Sequence, residues 1–98
     1  MSIDRAFTLE TLRDIIRIDS RNPGLEAGAP GEWELAHHVH ALLGSLGWKA
    51  ELRDLGDRRA NVVTTLRGTG QGPSLMVNVH LDTVGRRGNE GPVLGDGA

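Results

Sequence analysis

Apolar residues recur every three or four positions near the start of the chain, which is the spacing of one helix face. Thr8 is predicted as the N-cap of this first helix, with Phe7 placed to pack against Leu12. Residues 20–23 are predicted to end it, because Pro23 disfavours a helical conformation in the residue before it. The predicted buried face comprises Leu9, Leu12, Ile15 and Ile16.

The same spacing predicts a second helix that begins near Gly31 and stops at Gly47. Three histidines of this segment, His37, His38 and His40, fall away from its apolar face. Only His37 and His40 could meet at one-turn spacing, and two imidazoles leave a zinc ion short of ligands, so a solvated surface is favoured. The predicted apolar face comprises Leu35, Ala36, Val39, Leu42, Leu43 and Leu46.

The rest of the chain has the pattern of short strands joined by turns. Strands are predicted at residues 48–55, 61–67 and 75–81, with a turn at residues 54–59. Residues 68–73 are rich in glycine but lack the lysine of a phosphate-binding loop, so they are predicted to link two strands. Little regular structure is expected beyond Val84. These elements predict an α/β fold.

The candidate functional residues with the strongest sequence signal, His80 and Asp82, lie at the end of the third predicted strand. Nearly every residue of 75–81 is apolar, which is typical of a strand covered on both faces, and functional groups gather at the carboxyl ends of such strands. The two-residue period puts both side chains on one face. A neutral imidazole is a common zinc ligand that a carboxylate can orient, so the pair predicts half of a metal site. The alternative is a hydrogen-bonded structural histidine. Asn78 lies on the same face, where a buried amide could support the site or bond a neighbouring backbone.

Composition narrows the class of protein. A chain of 98 residues forms one small domain, and its net charge of −2 gives no basis for binding nucleic acid or an anionic membrane. Without cysteine, any metal must be held by histidine and carboxylate side chains. No apolar run has the length of a secretory or membrane-spanning segment, so a cytoplasmic location is expected.

Four segments occur in a distinctive order: IRIDSRNPG at 16–24, LGW at 46–48, RANVV at 59–63 and HLDTV at 80–84. Their succession resembles the start of the M20 metallopeptidase family, in its acetylornithine deacetylase and succinyl-diaminopimelate desuccinylase branch. The likeness extends from about the first helix to Gly85, and the HLDTV segment is its most specific part.

The resemblance implies a fold and an activity. The two helices would pack on a partial mixed sheet, with 61–67 antiparallel to 48–55 and 75–81 beside the latter, as the amino-terminal part of a zinc-peptidase-like catalytic domain. The activity would be hydrolysis of N-acyl amino acids or small peptides by a homodimer with a two-metal site of zinc or cobalt. His80 would bind one metal, and Asp82 would be the catalytic carboxylate that orients His80.

The family pattern continues beyond what this chain contains. The bridging aspartate of a later glycine-rich motif, the general-base glutamate, the other ligands and the dimerisation domain have no counterpart before Ala98. Asp96 lacks the surrounding motif and is rejected as the bridging ligand. Residues 1–98 are therefore expected to be the amino-terminal part of a catalytic domain, inactive alone.

Two other functions are weighed against this one. A non-catalytic α/β fragment could act at most as an association module through an exposed sheet edge. An unrelated α/β hydrolase would need a nucleophile, but the chain has neither a Gly-x-Ser-x-Gly elbow nor a cysteine.

Overall fold

The computed structural model describes residues 3–85, which form two helices and a two-stranded sheet. Helix α1 spans Arg5–Arg17 and helix α2 spans Trp33–Ser45, followed by strands β1, Ala50–Gly56, and β2, Arg59–Thr64. The predicted α/β class is confirmed. Asp96 and the stretch beyond Gly85, which was expected to lack regular structure, lie outside the described residues. Within residues 3–85, neither helix is long and apolar enough to cross a membrane.

Helix α1 begins one turn earlier than predicted, because Asp4 and not Thr8 is its N-cap. The Asp4 carboxylate accepts a hydrogen bond of 3.0 Å from the backbone N–H of Phe7, which satisfies one of the free donors at the helix start. Thr8 lies inside the helix, where its hydroxyl donates to the Asp4 carbonyl at 2.8 Å. Phe7 and Leu12 are both exposed. The predicted packing face is therefore wrong for Leu12 and reduces to the half-buried Leu9, Ile15 and Ile16.

We expect Asp4→Ala to lower the free energy of unfolding by about 1 kcal/mol, which is typical for loss of an N-cap side chain. Thr8→Ala is the matched control, and its effect should be smaller because alanine's higher helix propensity offsets the lost hydroxyl contact. Urea unfolding of both variants measures the difference. A larger loss of unfolding free energy in Thr8→Ala than in Asp4→Ala would show that Thr8 is the N-cap, as the sequence predicts.

Helix α2 supplies the packing against both strands. Its residues Leu35 and Ala36 are fully buried, and Leu35 is the largest completely buried side chain among the described residues. Gly47 follows the helix with a positive φ of 84°, and its N–H bonds the Gly44 carbonyl, which confirms Gly47 as the stop. Leu46 is exposed, so its predicted place on the buried face is wrong: it is the C-cap residue at the end of the helix.

Strands β1 and β2 form an antiparallel hairpin, as predicted, with Ala50 paired to Thr64 and Asp54 paired to Ala60. The strands are shifted by up to three residues from their predicted bounds. Both residues of the connecting turn have positive φ, 51° at Asp57 and 64° at Arg58. This left-handed pair matches the right-handed twist of the strands, as in a type I′ turn.

The third predicted strand is absent from the described part of the chain. Residues 75–81 have no regular structure. Leu75, Met76, Val77 and Val79 are 75–89% exposed, and Leu81 is half-buried. The sheet therefore has two antiparallel strands and is not mixed. A strand that is apolar on both faces needs a hydrogen-bonded neighbour and cover on each side, and residues 3–85 do not provide them. Asn78 is likewise exposed, so the predicted buried amide is wrong.

Candidate functional site

The segment that contains His80 and Asp82 lies against the loop that follows α1. The Thr83 N–H donates to the Ser20 carbonyl at 3.0 Å, and the Asn22 N–H donates to the Thr83 carbonyl at 2.9 Å. These bonds form a parallel bridge between Arg21 and Thr83. Two of the four segments that carry the resemblance, 16–24 and 80–84, therefore meet in space.

His80 and Asp82 are in contact, although no strand carries them. The His80 Nδ1 atom lies 2.8 Å from the Asp82 backbone carbonyl and 3.4 Å from Asp82 Oδ1. Because a carbonyl oxygen can only accept, Nδ1 carries the proton, and the neutral ring has its lone pair on Nε2. The His80 side chain is 84% exposed, while that of Asp82 is 25% exposed.

Asn22, which sequence reasoning missed, holds the Asp82 carboxylate. Its side-chain Nδ2 donates to Asp82 Oδ2 at 2.7 Å. The side-chain oxygen of Asn22 accepts the Gly24 N–H at 2.7 Å, which closes a local turn, and lies 3.4 Å from Nη1 of Arg59. The only sequence signal for Asn22 is its place in the NPG stretch of the 16–24 segment.

Arg59 and Glu32 form an ion pair behind Asn22. Arg59 Nε donates to Glu32 Oε2 at 2.6 Å, and the Glu32 side chain is only 9% exposed. A carboxylate buried to this degree needs a cationic partner, since loss of either partner would leave a charge without solvent. Arg59 is the first residue of the RANVV segment. This segment is therefore the third of the four that contributes a residue near His80 and Asp82.

Arg21 is neutralised by two neighbouring carboxylates. Its guanidinium pairs with Asp19 at 2.8 Å and with Glu26 at 3.0 Å. The hydrogen bond to Asp19 raises the pKa of Arg21 further above its ordinary value. Asp19 also accepts the Arg21 backbone N–H at 3.2 Å, which closes a local turn. Arg21 thus stabilises the loop rather than offering an unpaired cation to a ligand.

An open groove of about 780 Å³ lies between residues 78–82 on one side and helix α2 and the β1–β2 hairpin on the other. Its lining includes the polar side chains of Glu32, Arg59, His80 and Asp82. It also includes the apolar side chains of Val39, Leu43, Leu55 and Val62. The groove can therefore offer both polar and apolar contacts to a bound molecule.

The histidines of α2 do not add to this site. The His37 ring meets Trp33 edge-on with ring centres 4.4 Å apart. His40 Nε2 lies 3.0 Å from the Ala50 carbonyl, so this imidazole ties the helix to β1 and is not a solvated surface residue. Among residues 3–85, no group of three histidine or acidic side chains could hold a metal ion. Among the described residues, His80 is the imidazole that is both bonded to a carbonyl and adjacent to a carboxylate.

No family model matches the chain, and no solved structure matches it. The resemblance to M20 metallopeptidases rests on the four segments themselves, and the roles of His80 and Asp82 stay predictions.

Proposed function

We propose that this chain is part of the catalytic domain of a metal-dependent amide hydrolase that acts on N-acyl amino acids or small peptides. The observation that supports this most is the state of His80. Its Nδ1–H is bonded to a carbonyl beside a carboxylate, which leaves Nε2 as a ligand atom. Histidines that bind metals in proteins are oriented in this way through their second ring nitrogen.

In this proposal His80 would hold one metal ion, zinc or cobalt, through Nε2, and the bound ion would supply Lewis-acid polarisation of the substrate's amide carbonyl. The Asp82 carboxylate, 3.4 Å from Nδ1, keeps the ring oriented and stabilises the positive charge that the imidazole gains when it donates its lone pair. The remaining ligands and the general base come from polypeptide other than residues 3–85. A homodimer in the cytoplasm belongs to the same proposal.

The groove beside His80 supports an acyl substrate. Its apolar wall, formed by Val39, Leu43 and Leu55, would bury the methylene groups of an acyl chain. The same groove is lined by His80 and Asp82, so an amide bound there could lie next to the imidazole.

A second candidate function is association without catalysis. Leu75, Met76, Val77 and Val79 are all highly exposed, and contiguous apolar surface of this kind promotes contact with another chain. This surface is separate from the His80–Asp82 contact, so the two functions make different predictions for variants of His80.

Titration of the full 98-residue chain with Co²⁺ tests the proposed metal role. At about pH 8, which is above the ordinary pKa of an imidazole, we expect paramagnetic broadening of the ¹⁵N-labelled imidazole signals to be strongest at His80. Binding should be weak, since catalytic metals normally have three protein ligands. His80→Ala should remove the broadening at this site, whereas Asp82→Asn should weaken it by about tenfold.

The matched control is His37→Ala, which removes an exposed imidazole that has no carboxylate partner among the described residues. It should leave Co²⁺ binding at His80 unchanged. Broadening that is as strong at His37 and His38 as at His80 would show that the metal binds unspecifically, and it would contradict the proposed function.

A further inference from the structure

The side chain of Asn22 is bonded at both ends. On one side its Nδ2 contacts Asp82 Oδ2 at 2.7 Å. On the other, its Oδ1 faces the Gly24 N–H at 2.7 Å and Arg59 Nη1 at 3.4 Å. The backbone N–H of Asn22 also bonds the Thr83 carbonyl. Asn22 thus contacts the His80 segment through both its backbone and its side chain.

These partners fix which way the Asn22 amide points. An amide side chain can be flipped, and its orientation follows from its hydrogen-bond partners. The Gly24 N–H and the Arg59 guanidinium can only donate, so the atom that faces them is the oxygen. The nitrogen must then face Asp82, whose carboxylate can accept. Asn22 therefore donates to Asp82 Oδ2, and the other carboxylate oxygen, Asp82 Oδ1, faces His80.

We propose that Asn22 is a positioning residue of this site: it fixes the Asp82 carboxylate beside His80 Nδ1, where the carboxylate adds to the orienting effect of the bond between Nδ1 and the Asp82 backbone carbonyl. The relevance of this role to a metal rests on the proposed function. Arg59, held by Glu32, supports Asn22 from behind, so that a connected series of polar contacts runs from Glu32 to His80. Residues that orient a ligand indirectly in this way typically contribute 10- to 100-fold to affinity or activity, as an order of magnitude.

The chain offers a substitution that removes one contact only. Asn22→Asp keeps the shape of the side chain and both accepted bonds, but replaces the donor with an oxygen that repels Asp82. The double variant Asn22→Asp/Asp82→Asn restores a donor and an acceptor with the polarity reversed. A double-variant cycle of this kind isolates the pairwise contact from other effects of each substitution.

The experiment measures the tautomer of His80 in the full chain, without metal, from its ¹⁵N imidazole shifts at about pH 8.5, well above the ordinary pKa of histidine. The parent chain should show mainly the Nδ1–H form. In Asn22→Asp, the ratio of Nδ1–H to Nε2–H should fall by about two- to fivefold, because the Nδ1–H bond to the Asp82 carbonyl remains and only the weaker contact with the carboxylate is disturbed. The double variant should recover most of the ratio.

Ser20→Ala is the matched control, because it removes the 3.5 Å hydroxyl contact with Thr83 between the same two segments but leaves Asp82 untouched. It should not change the His80 tautomer. The His40 signal reports whether α2 remains packed on β1. If Asn22→Asp unfolds, Asn22→Ser serves instead, since a serine hydroxyl can keep the turn to Gly24 but is too short to reach Asp82.

An unchanged tautomer in the Asn22 variants, or a double variant no better than the single one, would overturn the role of Asn22. This readout requires neither metal nor substrate. A tautomer that responds to Asn22 in a chain that does not bind Co²⁺ at His80 would instead contradict the metal function alone.

Discussion

His80→Ala is expected to lower metal content and hydrolysis together in the complete enzyme that we propose, whereas Asp82→Asn is expected to leave more of the metal bound. For Asp82→Asn, kcat should still fall by about 10- to 100-fold, because the imidazole loses orientation and charge support but the ligand atom remains. Metal analysis of the purified proteins, together with kcat on N-acetyl and N-succinyl amino acids, measures the two effects separately.

The 98-residue chain alone provides the control for this pair. It should show no turnover with excess zinc or cobalt, since the described residues contain no three-ligand set. Equal metal loss in both variants would make Asp82 a direct ligand. Turnover in the isolated chain that disappears in His80→Ala would show that copies of the chain assemble a working site between them.

Gly31→Ala should be among the most destabilising single substitutions in the fold. Gly31 has a φ of +77°, and a Cβ atom at this position would lie 2.4 Å from the Arg58 carbonyl oxygen. That carbonyl already accepts the Trp33 N–H at the start of α2, so neither group can move without breaking a contact. We expect a loss of about 3–4 kcal/mol from left-handed strain and overpacking together.

Gly28 allows the two causes to be separated. Its φ of +81° is almost the same as that of Gly31, but a Cβ at Gly28 would meet no atom within 4 Å. Gly28→Ala should therefore show the conformational cost alone, about 1–2 kcal/mol. Urea unfolding of both variants gives the comparison. Equal losses would mean that the approach of Gly31 to the β1–β2 turn does not contribute to stability.

The elements that the sequence predicted correctly depend on local signals. Both helices follow from apolar spacing, and the hairpin joins two adjacent strands through a short turn. Gly47 ended α2 as predicted because a left-handed helix stop favours glycine. The start of α1 was misplaced because Asp4 and Thr8 are both good N-cap residues and only four positions apart.

The third strand failed for a different reason. Residues 75–81 have the composition of a buried strand. Composition indicates that a segment would be stable as a buried strand, but not whether a neighbouring strand and covering residues are present.

The site was predictable only in part. His80 and Asp82 lie two residues apart, and their contact is local. Asn22 and Asp82 are 60 residues apart in the chain, and no periodic pattern in the sequence predicts such a contact between loops.

The separation of Asn22 and Asp82 along the chain also determines the free-energy cost of forming the site. In the unfolded chain, bringing Asn22 to Asp82 closes a loop of 60 residues, which costs about 3.6 kcal/mol in chain entropy beyond the length-independent part. Two backbone and two side-chain hydrogen bonds between the segments offset this cost. Any ligand that binds only the closed loop shifts the balance further toward closure. Occupancy of the site and closure of the chain are then linked equilibria, so a measured affinity contains the free energy of folding this loop.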